Sequence, residues 1–551
     1  MAFELRLPSA DLIRGYREAG LWIDRLLSEE LEAGLLRTPD MACRVWSEER
    51  PFSGDFRELH ERALRVAGGM VELGIEPGDV VSFQLPNWIE AVECFLATMF
   101  AGAVSLPIVH IYGRKELAFV LSESRAKLHV TVDAFRQLRY REVMDRLQGG
   151  LPALEQVVYI DDDAWARLRA SDPLPAIVPL APDSPALLGY TSGTTADPKG
   201  VIHTHRTLVA EMIQRFHRAD GDPRGIPLDV PPGHNHWLVG SPIGHVSGLQ
   251  TGVMVPILSG RPSHLIDHWD VERVLDILVA ADLNLGGAAT FFFQSLVDHP
   301  KFGPEHLDRV RYVAMGGAPI PRALGERCEE LGIRSIRSYG STEHPSVSGC
   351  AFDDPLEKRV GTDGRLLAGV EVELRDAEGR PVAGGTPGEI HSRGPELFAG
   401  YVDPRLDEAA FDGAGWFASG DLGVLDPDGY LTVLDRTKDI IIRGGENISA
   451  AEVEEALHQM PAILEAAAVA APDERMGERV CAFVRVGGGF APPTLDQIRQ
   501  HLGAVGIARQ KWPEALRIVG DFPRTPSGKI RKVDLRQELR GGASPSGVPR
   551  G

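Results

Sequence analysis

The sequence predicts an α/β protein: a large N-terminal domain of mixed β-sheets flanked by helices, a small β-rich subdomain, and a small α+β C-terminal domain. Three observations carry this. Apolar strand-like runs alternate with helical stretches through the first two thirds, the texture of α/β layers rather than of an all-β sandwich. From Gly388 the chain turns to short strands punctuated by Pro427-Asp428-Gly429 and Gly444-Gly445. At 551 residues the chain is too long for one domain.

"VVSFQL" reads as a strand feeding the helical "WIEAVECFLATMFAG". The longest apolar run, "CFLATMFAGAVSLPIV" from Cys94, is interrupted by Thr98, Ser105 and Pro107. It falls short of the ~18 to 20 residues that span a bilayer, so it reads as a buried helix leading into a strand. "ALLGYTSG" reads as a strand and "GVIHTHRTLVAEMIQRF" as the helix after it. "GEIHSRGPELFAGY" and "GWFASGDLGVLDPDGYLTVLD" belong to the β-rich subdomain, about 350–435, of a large domain spanning 1–435. The small domain, 436–540, holds the helix of "SAAEVEEALHQM", where Ser449 three residues before Glu452 makes a capping-box pattern. "AAAVAAP" and "RVCAFVRV" are its strands. The Gly-, Pro- and Ser-rich stretch 541–551 is expected to be disordered.

Hydrophobic residues at 43% and charged residues at 25% are ordinary for a globular chain. A formal charge of −20 opposes nonspecific nucleic-acid binding, which needs a basic face, so an anionic substrate requires a locally positive site. The N-terminal stretch carries charges throughout and is not a secretory signal. No transmembrane segment and a cytoplasmic location are expected. Five scattered cysteines suit neither a disulfide framework nor zinc.

"YTSGTTADPKG", Tyr190 to Gly200, concentrates five hydroxyls, two glycines and a lysine, a composition suited to an anion. It is not the familiar nucleotide loop of two glycines followed by Lys-Ser or Lys-Thr, because Lys199 stands between Pro198 and Gly200. Five further segments are "GGAPI" at Gly316, "SYGSTEH" at Ser338, "SGD" at Ser419, "DRTKDIIIRGGENISAAEVE" at Asp435 and "PRTPSGKIRK" at Pro523. In this order, from about Pro51 to about Leu535, the six resemble the core motifs of the adenylate-forming superfamily of acyl-CoA synthetases, adenylation domains and luciferases. The likeness is nearest to bacterial cyclohexanecarboxylate-CoA or medium-chain acyl-CoA ligases.

The resemblance implies that a carboxylate attacks the α-phosphate of ATP, with Mg²⁺, to give an acyl-adenylate and pyrophosphate, and that the thiol of coenzyme A then takes the acyl group. Two anions must meet, so oriented donors and positive charge are needed where charge accumulates. By this resemblance Thr191, Ser192, Gly193, Thr194, Thr195 and Lys199 face the phosphates. Ala196 departs from a usual glycine, so an ordinary negative φ is expected there. Gly317, Ala318 and Pro319 lie against one face of adenine and Tyr339, within Ser338, Gly340 and Ser341, against the other. Thr342 touches the α-phosphate, Glu343 binds the metal, and Asp421 accepts both ribose hydroxyls. Arg436 holds ribose or phosphate, and Lys529 bridges carboxylate and α-phosphate. Lys438 is the hinge on which a mobile C-terminal domain rotates, bringing Gly444 and Gly445 to the CoA tunnel. His245, Gly248, Gly316 and Gly317 wall the acyl pocket.

"HTH" at His203 and "HNH" at His234 are not expected to be metal ligands, since no acid or cysteine partner stands at a suitable spacing in the sequence. The expected reaction joins a small cyclic, aromatic or medium-chain carboxylic acid to free CoA. The same motifs serve enzymes that load an acid onto a carrier protein, and a catalytically silent nucleotide-binding protein on the same fold is a second alternative. A homodimer is an admissible assembly.

Overall fold

In a computed structural model, which describes residues 3–191, 198–216, 236–288, 290–318, 320–525 and 528–541, three sheets build the N-terminal two thirds. The largest has five parallel strands, Gln156–Tyr159, Leu128–Thr131, Val80–Gln84, Val104–Pro107 and Pro185–Thr191, and one antiparallel edge strand. Val80–Gln84 is buried at every position, as a parallel strand covered on both faces requires. The apolar run from Cys94 is the expected pair of elements. Helix Ile89–Phe100 is buried over its whole length and leads into strand Val104–Pro107. Among the described residues no helix is long and apolar enough to cross a membrane.

The helical reading of "GVIHTHRTLVAEMIQRF" is corrected in its first part. Lys199–Thr204 is the antiparallel edge strand, with Lys199 opposite Thr191 and Gly200 opposite Tyr190, and the helix is only His205–Phe216. Val201, Ile202 and Thr204 are β-branched and buried, which suits a pleated surface better than a helix. The strands on either side of the stretch expected to hold phosphate are therefore antiparallel partners, rather than a strand and a helix.

A second sheet sets Gly287–Ala288, Tyr312–Gly316 and Arg334–Tyr339 in parallel, continued antiparallel by Ser348–Gly349 and Arg365–Leu366. A third joins Leu238–Val239, Ser263–Ile266, Ala42–Trp46 and Phe52–Asp55. The β-rich portion is an antiparallel meander of Glu371–Arg375, Gly388–Arg393, Phe417–Leu425 and Leu431–Arg436. It starts later than residue 350, because 350–370 supplies helix Leu356–Gly361 and a strand of the second sheet. Its last strand takes in Arg436, paired with Asp421.

The C-terminal portion packs helices Ala450–His458, Leu495–Ala504 and Lys532–Gly541 with a sheet built on the long hairpin Ile463–Asp473 and Gly477–Val486. Ser449 caps its helix by accepting the Glu452 N–H at 3.2 Å, while the Glu452 carboxylate pairs with Lys511. All five cysteines are buried free thiols. Helix Lys532–Gly541 reaches the first residue of the expected tail, and 542–551 lie outside the described residues.

Candidate active site

Strand Arg334–Tyr339 ends in a tight turn that carries Thr342 and Glu343. Gly340 permits it, since a Cβ there would lie 2.0 Å from the Pro345 carbonyl. The turn is locked on itself: Ser341 N–H donates to the His344 carbonyl, and the His344 N–H to Ser341 Oγ. Thr342 packs against bare backbone, because a Cβ at Gly189 would sit 2.8 Å from its methyl. On its other side His203 Nε2 lies 2.7 Å from the Thr342 carbonyl. Burial pushes the His203 imidazole down to about 4, so the ring is neutral and Nε2 carries the hydrogen.

Residues 399–402 zip onto the edge strand Lys199–Thr204: Ala399 N–H donates to the Ile202 carbonyl and Val402 N–H to the Gly200 carbonyl. This places Tyr401 between the two charged groups. Its phenol donates to Glu343 Oε1 at 3.0 Å, and Lys199 Nζ stands 5.1 Å from its ring centroid. The Phe398 N–H donates to the Glu343 carbonyl.

On the meander, Gly420 at φ +72° turns the chain into Asp421. The Asp421 carboxylate takes the Tyr339 hydroxyl at 2.7 Å and faces Arg436 Nε at 2.9 Å. Beside Tyr339, Gly316 lets neighbouring strands close up, since a Cβ would meet Ser338 Oγ at 2.8 Å, and Gly317 adopts φ +74°.

Lys529 reaches this cluster from the C-terminal portion. Burial and the Arg436 charge push its ammonium down to about 8, against the opposing pull of Asp421 and Glu343. The docking is specific. The Glu455 carboxylate accepts the Arg322 N–H at 3.0 and 3.2 Å, capping helix Arg322–Glu330 from the other portion of the chain. Gln294 Nε2 donates to the Leu464 carbonyl at 3.3 Å. Arg524 stacks over the Phe291 ring at 4.1 Å, pairs with Glu465 and donates to the Gly528 carbonyl, the residue before Lys529.

His245 begins a short helix that continues through a π-helical stretch, Gln250–Met254. Burial, with the Lys529 charge adding to it, pushes the imidazole down to about 4. Gly248 is buried, and a Cβ there would strike the Pro242 carbonyl at 2.0 Å. Gly444 and Gly445 stand apart from this cluster. They form the exposed tip between Ile441–Arg443 and Glu446–Ile448, at φ +59° and +89°. Lys438 lies in the single turn Thr437–Asp439 between Arg436 and that hairpin. Ser192, Gly193, Thr194, Thr195, Ala196, Pro319 and His234 lie outside the described residues.

A protein-family model described as AMP-binding enzyme matches residues 31–402, and its C-terminal-domain counterpart matches 452–529. The chain belongs to the AMP-binding enzyme family. It is 34% identical over 533 residues to a medium-chain fatty-acid–CoA ligase of Escherichia coli, covering 95% of this chain and 92% of the relative. It is 32% identical over 548 residues to a salicyl-AMP ligase / salicyl-S-ArCP synthetase of Mycobacterium tuberculosis, covering 96% and 94%. Among solved structures, ATP-bound MatB from Rhodopseudomonas palustris superposes with a TM-score of 0.81 at 26% identity, covering 94% of this chain and 99% of that one.

This AMP-binding enzyme is thus an AMP-forming acid–thiol ligase that uses ATP, Mg²⁺ and CoA. Sequence reasoning missed Tyr401, Arg524 and Glu455, whose roles arise from contacts between distant segments. It read His203 only as a doubtful metal ligand, whereas its ring is spent on the Thr342 carbonyl. Among the described residues no cluster of His, Cys, Asp and Glu could hold a metal ion by itself. Glu343 offers one carboxylate, and ATP phosphates complete a Mg²⁺ shell in such chemistry, so the donor set fits the ion. A wide groove beside helix Ala10–Glu18 holds none of these residues.

Proposed function

We propose that this acyl-CoA synthetase works in the cytoplasm on a medium-chain, cyclic or aromatic acid, with free CoA as acceptor. The observation that carries the proposal is that Lys529, on the docked C-terminal portion, lies within electrostatic reach of Arg436, Asp421 and Glu343 across two parts of the chain. Asp421 accepts the ribose hydroxyls, Tyr339 stacks on adenine with its hydroxyl tied to Asp421, and Thr342 and Lys199 face phosphate oxygens. Bound Mg²⁺ would neutralise phosphate charge beside Glu343. Lys529 holds the attacking carboxylate oxygen against the α-phosphate, and its ammonium offsets the charge gathered there. His245 is neutral at working pH and adds no charge of its own beside the acid's apolar body, while the Lys529 charge is left for the carboxylate end.

Gly444 and Gly445 point to solvent in this arrangement, so they serve the second step only after the C-terminal domain turns about Lys438. The likeness to the E. coli medium-chain ligase supports an apolar acid and CoA. The salicyl-AMP ligase relative keeps a second reading in play, transfer to a carrier protein.

The test is ATP–pyrophosphate exchange over a panel of aliphatic, alicyclic and aryl acids, repeated with CoA. Exchange with an apolar acid and acyl-CoA formation from free CoA are expected. Exchange without thioester formation would favour the carrier protein, and no exchange with any acid would overturn the proposal.

A further inference from the structure

Behind the turn bearing Thr342 and Glu343 lies a group of buried polar side chains that touches none of the reacting partners assigned above. His344 and Glu396 are 1% and 0% exposed, and His344 Nε2 lies 3.0 Å from Glu396 Oε1. The other ring nitrogen, Nδ1, is 2.8 Å from Ser392 Oγ. Gly394 makes room for the pair, since a Cβ there would lie 2.7 Å from His344 Nε2 and 2.8 Å from Glu396 Oε2. Two more buried residues hold the same turn: His203 at the Thr342 carbonyl, and Glu211, whose Oε1 accepts the Ser346 hydroxyl at 2.7 Å. The tethers come from four elements: the edge strand, the helix after it, the meander strand Gly388–Arg393 that carries Ser392, and the loop that also delivers Tyr401.

Burying these groups is costly. Glu396 Oε2 has no hydrogen-bond partner among the described residues, and an unsatisfied buried oxygen is a liability that an apolar pair of similar volume would avoid. What the arrangement supplies is geometry. The imidazole follows Glu343 directly and is fixed at both nitrogens, while His203 fixes the carbonyl between Thr342 and Glu343. The two side chains that must face phosphate and metal thus leave a peptide clamped from behind. Residues that orient a metal ligand from outside the coordination shell act in this way.

We propose that Glu396, through His344, and His203, through the Thr342 carbonyl, are positioning residues for adenylation that hold Glu343 and Thr342 at the spacing Mg²⁺-ATP requires. The inference rests on the assignment of Glu343 as metal ligand. It is tested with Glu396→Leu and His203→Leu, their conservative counterparts Glu396→Gln and His203→Gln, and Glu343→Gln, in the full-length enzyme.

ATP–pyrophosphate exchange is titrated with Mg²⁺ at saturating acid, and thioester formation is followed separately from supplied acyl-adenylate. The leucine variants should raise the half-saturating Mg²⁺ or lower exchange by about tenfold or more. The KM for the acid and the thioester half-reaction should hold within about twofold, and glutamine should recover most of the loss. Equal loss in both half-reactions, an unchanged Mg²⁺ titration, or no recovery by glutamine would overturn the inference. Should Glu396→Leu fail to fold, Ser392→Ala removes the other ring contact. A rise of about two- to fivefold in half-saturating Mg²⁺ is then expected, and none would overturn it. If Glu343→Gln abolishes exchange while the leucine variants titrate normally, only the positioning role fails. If Glu343→Gln itself titrates normally, the metal assignment fails and takes the inference with it.

Discussion

Asp421 and Arg436 stand opposite each other on neighbouring antiparallel strands, and Arg436 Nε lies 2.9 Å from Asp421 Oδ1. The next residues form the turn Thr437–Asp439 at the proposed hinge. The proposed ribose acceptor is therefore joined by one ion pair to the last residue before the chain leaves the meander.

Asp421→Asn removes one full acceptor charge from the ribose site and weakens the tie to Arg436. A charge-assisted hydrogen bond contributes about 1.5 to 3 kcal/mol, so the KM for ATP in pyrophosphate exchange should rise about ten- to hundredfold. The KM for the acid should stay within about twofold, since the carboxylate is assigned to ribose alone.

Lys529, in the adenylation role proposed for it, is expected to set the pH dependence. Its ammonium is depressed from the ordinary lysine range to about 8 in the free enzyme, and the proposed role uses the charged form. The proton is lost as pH rises through that value, so kcat/KM for exchange should be flat below about 8 and fall by about tenfold per pH unit above it. Thioester formation from supplied acyl-adenylate should lack this falling limb, because Lys529 is assigned to adenylation alone.

Glu455 caps a helix from across the interface between the two portions of the chain. Loss of a helix cap costs about 1 kcal/mol, so Glu455→Ala should slow pyrophosphate exchange about fivefold by loosening the arrangement in which Lys529 is docked. Rapid-quench measurement of the thioester half-reaction should show no matching loss.

Gly445 has φ +89° and open space around it, so Gly445→Ala meets backbone strain of about 1 to 2 kcal/mol but no clash in this arrangement. Exchange should be nearly unchanged while acyl-CoA formation slows, because the proposed pantetheine passage is narrowed only after rotation. Lys438→Pro should separate the half-reactions in the same sense, and unchanged thioester kinetics would contradict a hinge at that position.

Much of this fold was legible because local pattern and tertiary role agree. The buried helix after "VVSFQL", the strands around Cys481 and the Ser449 cap follow from apolar runs, β-branched residues and capping chemistry. The misread segment was 200–204, where a strand passes into a helix with no Gly or Pro to mark the join. The antiparallel partner that defines the strand precedes the stretch proposed to hold phosphate, and pairing is invisible to a local window. The candidate site was readable where short motifs carry it, as at Tyr339, Thr342, Glu343, Asp421 and Lys529. Its supports were not. Tyr401 meets Glu343 across 58 residues and Glu396 meets His344 across 52, and nothing in either local sequence announces the pairing.

The central claim is that Lys529 belongs to the adenylation step alone, delivered by the docked C-terminal portion of the chain. The most direct measurement is the pair of half-reactions in Lys529→Ala: ATP-dependent pyrophosphate exchange, and CoA-thioester formation from supplied acyl-adenylate. Exchange should fall by about a thousandfold or more while thioester formation keeps most of its rate, as expected for a charge that acts on one transition state. Equal loss in both half-reactions, or exchange that survives the substitution, would contradict it.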